Sequence, residues 1–190
     1  MHASVMDWVP KTLTADEVTG KRVVEAGSYD VNGSARPYIE SLDPASYTGI
    51  DMQPGPRVDM VMDAADMPGQ IGENCADIAA SFEMLEHAQD WQAATAGMIR
   101  ALAPGGLLVL TTRSEGFPYH GYPDDHWRFS VEAMGQIMDA AGLDVLDLLA
   151  DPDPMSPGVF VKARKPDDWT QPRSMRKAWA DIAGVTVMTG

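Results

Sequence analysis

The sequence predicts an α/β fold built on a mostly parallel sheet. Three observations predict it. Short apolar runs of strand length alternate with segments of helical period between residues 19 and 163. Four successive apolar runs each end on an acid, and in open parallel sheets the ligand sits at the carboxyl ends of the strands. Pro104-Gly105-Gly106 and Gly142 stop two of the helical segments sharply. A chain of 190 residues can bury such a core without disulfides or metal.

Taken in order, Val5–Val18 reads as a short amphipathic segment, partly helical, with Pro10 limiting where the helix starts. Lys21–Glu25 is a buried strand that opens with a basic pair. A loop and a helix over Gly33–Leu42 follow, then strands at Tyr47–Asp51, Val58–Met62 and Ala76–Ser81. Asp90–Leu102 is a helix, because Trp91, Ala94, Met98, Ile99 and Leu102 recur at helical spacing. Leu107–Thr112 is a fifth strand, Val131–Ala141 a helix, and Leu143–Leu149 and Gly158–Ala163 are the final strands. Only Met52–Arg57 separate the second and third strands, too few residues for a crossover helix. A helix lost from a compact version of the fold is the preferred reading. Residues 1–165 are expected to form the domain and 166–190 a tail.

Composition excludes several classes. Hydrophobic residues make up 45% and charged residues 22%, which rules out a disordered or low-complexity chain. The net charge is −14, so a phosphate backbone is repelled and nucleic acid is not an expected partner. Residues 162–190 carry six of the 14 basic residues and read as a solvated surface. No apolar run reaches transmembrane length, and the start has no basic segment followed by an apolar stretch. With one cysteine, Cys75, a cytoplasmic location is expected.

The strand ends carry the chemistry. The first ends Glu25-Ala26-Gly27-Ser28, and Asp51 ends the second, 24 residues after Gly27. A carboxylate at that distance commonly holds ribose hydroxyls. Asp63 and Ala64 follow the third strand, and Glu83, Glu86 and His87 follow the fourth. Each acid alone is explained as a turn or helix cap; four in order are not. A dinucleotide needs a glycine-rich pyrophosphate cradle, but after Gly27 the next glycine is Gly33, with Asp30 between them. S-adenosylmethionine has no phosphate and carries a sulfonium and an ammonium, which an acidic crevice favours.

At these residues the chain resembles the class I S-adenosylmethionine-dependent methyltransferases of the small type 11 group. Val23-Val24-Glu25-Ala26-Gly27 resembles the first motif, and Gly49-Ile50-Asp51 the ribose-binding acid. Asp63-Ala64 resembles the segment at the adenine edge, and Phe82–His87 the motif after strand four. Leu102–Leu110 resembles the turn into strand five, and Asp125–Ser130 a motif before the next helix. The first motif departs from the family, whose second and third glycines are absent here. The resemblance implies a Rossmann-like sheet of seven strands with the last one antiparallel. It implies S-adenosylmethionine as cofactor, with direct methyl transfer to a small-molecule or glycan acceptor. By motif match Glu25, Gly27, Asp51, Met52, Asp63, Ala64, Ser81 and Phe82 are expected to touch the cofactor, and Ser28 by adjacency to Gly27.

His87 stands beside the expected methyl group and is the natural general base. Glu83, Glu86 and His87 at i, i+3, i+4 share a helical face, and with His126 they resemble the ligands of metal-dependent O-methyltransferases. The metal-free base is preferred. The loop from Arg113 to Arg128 holds Phe117, Tyr119, Tyr122 and Trp127, and Tyr119, His120 and His126 are expected to meet the acceptor beneath a mobile lid. The competing readings are a cofactor-binding interaction module without turnover and a NAD-dependent oxidoreductase. The second is disfavoured by Asp30 and the missing glycines.

Overall fold

The computed structural model describes residues 1–121, 124–173 and 175–188. In chain order the elements are α1 (Ala3–Thr12), α2 (Ala15–Val18), β1 (Arg22–Ala26), α3 (Arg36–Glu40), β2 (Ser46–Asp51) and β3 (Met60–Val61). Then come α4 (Met67–Gln70), β4 (Ala76–Phe82), α5 (Trp91–Ala101), β5 (Leu102–Arg113), β6 (Trp127–Phe129) and α6 (Val131–Ala140). The chain closes with β7 (Asp144–Ala150), β8 (Gly158–Arg164), α7 (Met175–Ala180) and β9 (Val185–Val187). Single 3₁₀ turns lie at Ala64–Asp66 and Leu85–His87.

Seven strands form one sheet in the order β3-β2-β1-β4-β5-β8-β7. The pairs from β3 through to β5 are parallel, and β8 runs antiparallel to both β5 and β7. The last sheet strand is therefore the antiparallel one, and the strand order reverses between β1 and β4. A crevice outside the carboxyl ends of those strands is the ligand position of an open α/β sheet. No helix joins β2 to β3. An irregular eight-residue loop makes that crossover, so the expected loss of a helix is observed.

Both faces of the sheet are covered. Trp8, Val9, Leu13 and Ile39 pack against Val23, Ile78 and Phe160 on one face. Trp91, Ile99, Met134, Ile137 and Trp179 pack against Val24, Leu108 and Val161 on the other. The helices start where side chains satisfy their free N–H groups. Asp90 accepts from Ala93 N at 2.9 Å to cap α5, and Ser130 Oγ accepts from Ala133 N at 3.0 Å to cap α6.

Some elements differ from expectation for identifiable reasons. β3 keeps only Met60 and Val61, because it is an exposed edge with no second face to bury. α3 shrinks to five residues with Pro37 in its first turn. β5 begins earlier, at Leu102, across a register shift between Ala76 and Ile78. Two of the six bases read as a solvated surface are buried. Lys162 donates to Thr12 O and to Glu17, each at 2.6 Å, and Lys165 donates to Ile99 O and Leu102 O at the end of α5. Beyond residue 165, Met175 and Trp179 enter the core, Trp179 Nε1 donates to Ile137 O at 2.9 Å, and β9 pairs with β6.

Candidate active site

A cavity of about 600 Å³ opens at the carboxyl ends of β1, β2, β3 and β4. Glu25, Gly27, Ser28, Asp51, Met52, Asp63, Ala64 and Phe82 all line it. Ser81 does not. It lies one residue inside β4, sealed in the sheet, and only Phe82 at the strand end reaches the wall. Gly27 sits at φ +79°, and a Cβ there would lie 2.4 Å from the Met84 side chain, so the turn off β1 demands glycine. Gly97 is equally confined: it lets α5 approach Ala64, whose carbonyl a Cβ would meet at 2.1 Å. That contact seats Asp63, which also caps the turn below it by accepting from Ala65 N at 2.8 Å.

The cofactor half of the cavity is acidic and has no phosphate cradle. Gly27 N and Ser28 N both donate to Ile50 O, at 2.9 and 3.0 Å, so neither is free for an anion. The next helix, α3, starts only at Arg36. Asp51 accepts from Tyr29 N and Gln53 N and presents its carboxylate at the wall. Ser28 Oγ is buried on that wall with no hydrogen-bond partner, as expected of a hydroxyl shaped for a polar ligand group. Burial raises the Glu25 carboxyl to about 7, although the Tyr47 hydroxyl, donating at 2.7 Å, works against that. A cation beside Glu25 would favour its ionised form. These features fit S-adenosylmethionine and not a dinucleotide.

The far half of the cavity is walled by His87, His120, His126 and Asp124. His87 Nδ1 donates to Asp124 O at 2.6 Å, which leaves Nε2 as an acceptor. Its ring lies 4.8 Å from that of His120, centroid to centroid. His120 and His126 both line this half of the cavity. Tyr119 does not: it is half exposed and off the wall. Tyr122 lies outside the described residues.

The described residues of the loop after β5 make several buried polar contacts. Arg128 holds Asp125 with two hydrogen bonds of 2.5 and 2.6 Å and also donates to Phe117 O and Pro118 O. Burial would raise the Asp125 carboxyl, but Arg128 and the His120 N–H outweigh it and hold it at about 2. Phe117 is buried beneath the guanidinium of Arg113. Arg113, fully buried, pairs with Asp151 at 3.2 Å and with Glu83. These contacts tie the described residues of the loop to the end of the sheet. Sequence reasoning missed this network. It also missed His2, which reaches Glu83 through Nδ1 at 2.5 Å and through its N–H at 2.8 Å. The left-handed backbone of Glu83, φ +57°, is the one local sign of constraint, and it is visible only in the structure.

A family model described as a methyltransferase domain matches residues 1–148. The chain belongs to the class I S-adenosylmethionine-dependent methyltransferases. Its fold is similar to that of the 1,6-didemethyltoxoflavin-N1-methyltransferase of Burkholderia thailandensis, solved with 1,6-didemethyltoxoflavin and S-adenosylhomocysteine bound. That match has a TM-score of 0.70 at 19% identity and covers 87% of this methyltransferase and 79% of the other chain. A S-adenosylmethionine-dependent methyltransferase of Mesorhizobium loti matches with a TM-score of 0.64 at 16% identity, over 86% and 98% of the two chains. By sequence the methyltransferase is 31% identical over 113 residues to phthiotriol/phenolphthiotriol dimycocerosates methyltransferase 1 of Mycobacterium ulcerans. That stretch is 53% of this chain and spans only 41% of the curated relative. Among the described residues, no helix is long and apolar enough to cross a membrane.

Proposed function

We propose that this methyltransferase moves the methyl group of S-adenosylmethionine to a small-molecule or glycan acceptor, with His87 taking the proton of the acceptor's nucleophile. The observation that carries the reading is the continuity of one cavity, with Glu25, Asp51 and Asp63 on one side and His87, His120 and His126 on the other. A cofactor held by the acids points its sulfonium toward the histidines, and alignment of nucleophile, methyl and sulfur then supplies most of the acceleration. His87 Nε2 is free to accept a proton there. The loop after β5 closes the acceptor side. Two of the named relatives support a small acceptor: one is a 1,6-didemethyltoxoflavin-N1-methyltransferase and another a phthiotriol/phenolphthiotriol dimycocerosates methyltransferase. The net charge of −14 argues against a nucleic-acid acceptor.

The test is a panel of small-molecule and sugar acceptors incubated with S-adenosylmethionine and read by mass spectrometry. Acceptor-dependent release of S-adenosylhomocysteine with a methylated product is expected. Tight cofactor binding with no turnover on any acceptor would favour the interaction-module reading. On an accepted substrate, His87→Ala should lower turnover by about 10²–10⁴-fold and leave S-adenosylhomocysteine affinity unchanged. Equal losses in both would make His87 a binding residue.

A further inference from the structure

Three bare acceptor atoms converge beside the acceptor half of the cavity. Glu86 is fully buried; its Oε2 accepts from Thr112 Oγ1 at 2.8 Å, and its Oε1 has no hydrogen-bond partner among the described residues. His87 spends its Nδ1 proton on the Asp124 carbonyl, so its Nε2 carries a lone pair. His120 Nδ1 lies 2.9 Å from Asp125 Oδ2, and Asp125 is paired with Arg128, so it too accepts and leaves His120 Nε2 bare. Glu86 Oε1 is 4.0 Å from His87 Nε2 and 3.7 Å from His120 Nε2. All three atoms lie within 4.8 Å of one another. A buried carboxylate oxygen and two imidazole nitrogens so placed favour a positive charge among them.

We infer that Glu86, His87 and His120 form a binding site for one divalent cation of the zinc class. Two imidazole nitrogens and one carboxylate oxygen suit zinc and leave a fourth position open. Bonds of about 2.0–2.2 Å would set the ligand atoms about 3–3.5 Å apart, so the three groups, now within 4.8 Å of one another, draw together to grip the ion. Each ligand is already oriented from behind: Glu86 by Thr112, His87 by the Asp124 carbonyl and His120 by Asp125. Such outer partners fix the lone pairs toward a metal. This set differs from the Glu83, Glu86, His87 and His126 pattern suggested by spacing, because Glu83 is taken by Arg113 and His2. It also departs from the metal-free expectation. A cation and a proton use the same lone pair of His87, so the two roles exclude each other at any moment. Zinc binding is independent of the cofactor reading; only its consequence for turnover rests on that reading.

The test is calorimetric titration of zinc into chelator-treated protein, with S-adenosylhomocysteine titrated in parallel as a check on folding and on the cofactor site. One zinc per chain is expected, with no heat from magnesium. Glu86→Gln and His120→Ala should each weaken zinc by more than about 10-fold, while His126→Ala leaves it unchanged. His120 is part-exposed, so that variant keeps the test sound if Glu86→Gln fails to fold. No zinc binding, or equal affinity in Glu86→Gln and His120→Ala, overturns the site. Zinc binding without S-adenosylhomocysteine binding would strike the cofactor reading and leave the cation site standing.

Discussion

Glu25 is 2% exposed, accepts from Tyr47, and has its carboxyl raised to about 7 by burial. The folded protein therefore binds a proton there that the unfolded chain, titrating at the usual 4.5, has released. Stability from this group is fully present below pH 4.5 and is lost as pH rises through about 7. Above that pH the ionised carboxyl costs on the order of 3 kcal/mol in the cofactor-free protein. Glu25→Gln should thus stabilise the free protein at pH 8 and not at pH 4, as read by urea denaturation at the two values. An equal effect at both would mean that burial does not raise this carboxyl. The position of Glu25 at a strand end is legible in the sequence. Its burial against Tyr47 is not, because that contact exists only once β1 and β2 pair Val23 with Tyr47.

At the scale of elements, legibility follows packing. The strands β1, β4 and β8 and the helices α5 and α6 bury most of their apolar positions, so their period is plain in the sequence. β3 and α3 bury little and are shorter than their patterns suggest. β6 and β9 are three residues each and pair with one another from distant parts of the chain, so neither carries a readable period. α7 is the clearest omission. The basic residues around it suggest a solvated tail, yet Trp179 is 1% exposed and its ring lies 5.6 Å from that of Trp91. Trp179→Ala should therefore cost about 3–5 kcal/mol of folding stability in chemical denaturation. A loss under 1 kcal/mol would show the segment to be a dispensable tail.

At the scale of the whole molecule, the site arises from sheet order. Reversal of the strand order between β1 and β4 gathers four acid-tipped strand ends around one crevice. The residues lining this wall are legible because they stand at or just after strand ends; Ser81, sealed within β4, does not reach it. The rim was not legible, because it joins groups far apart in the chain. His2 and Glu83 are 81 residues apart, and Arg113 reaches Asp151 from another strand. The central proposal is that the acid-lined half of the cavity holds S-adenosylmethionine through Asp51. Calorimetry with S-adenosylhomocysteine on the parent protein and on Asp51→Ala tests this most directly. A hydrogen bond to a charged acceptor contributes about 1.5–3 kcal/mol, so the variant should bind about 10–150-fold more weakly. No binding to the parent protein, or the same affinity in both, would contradict the account.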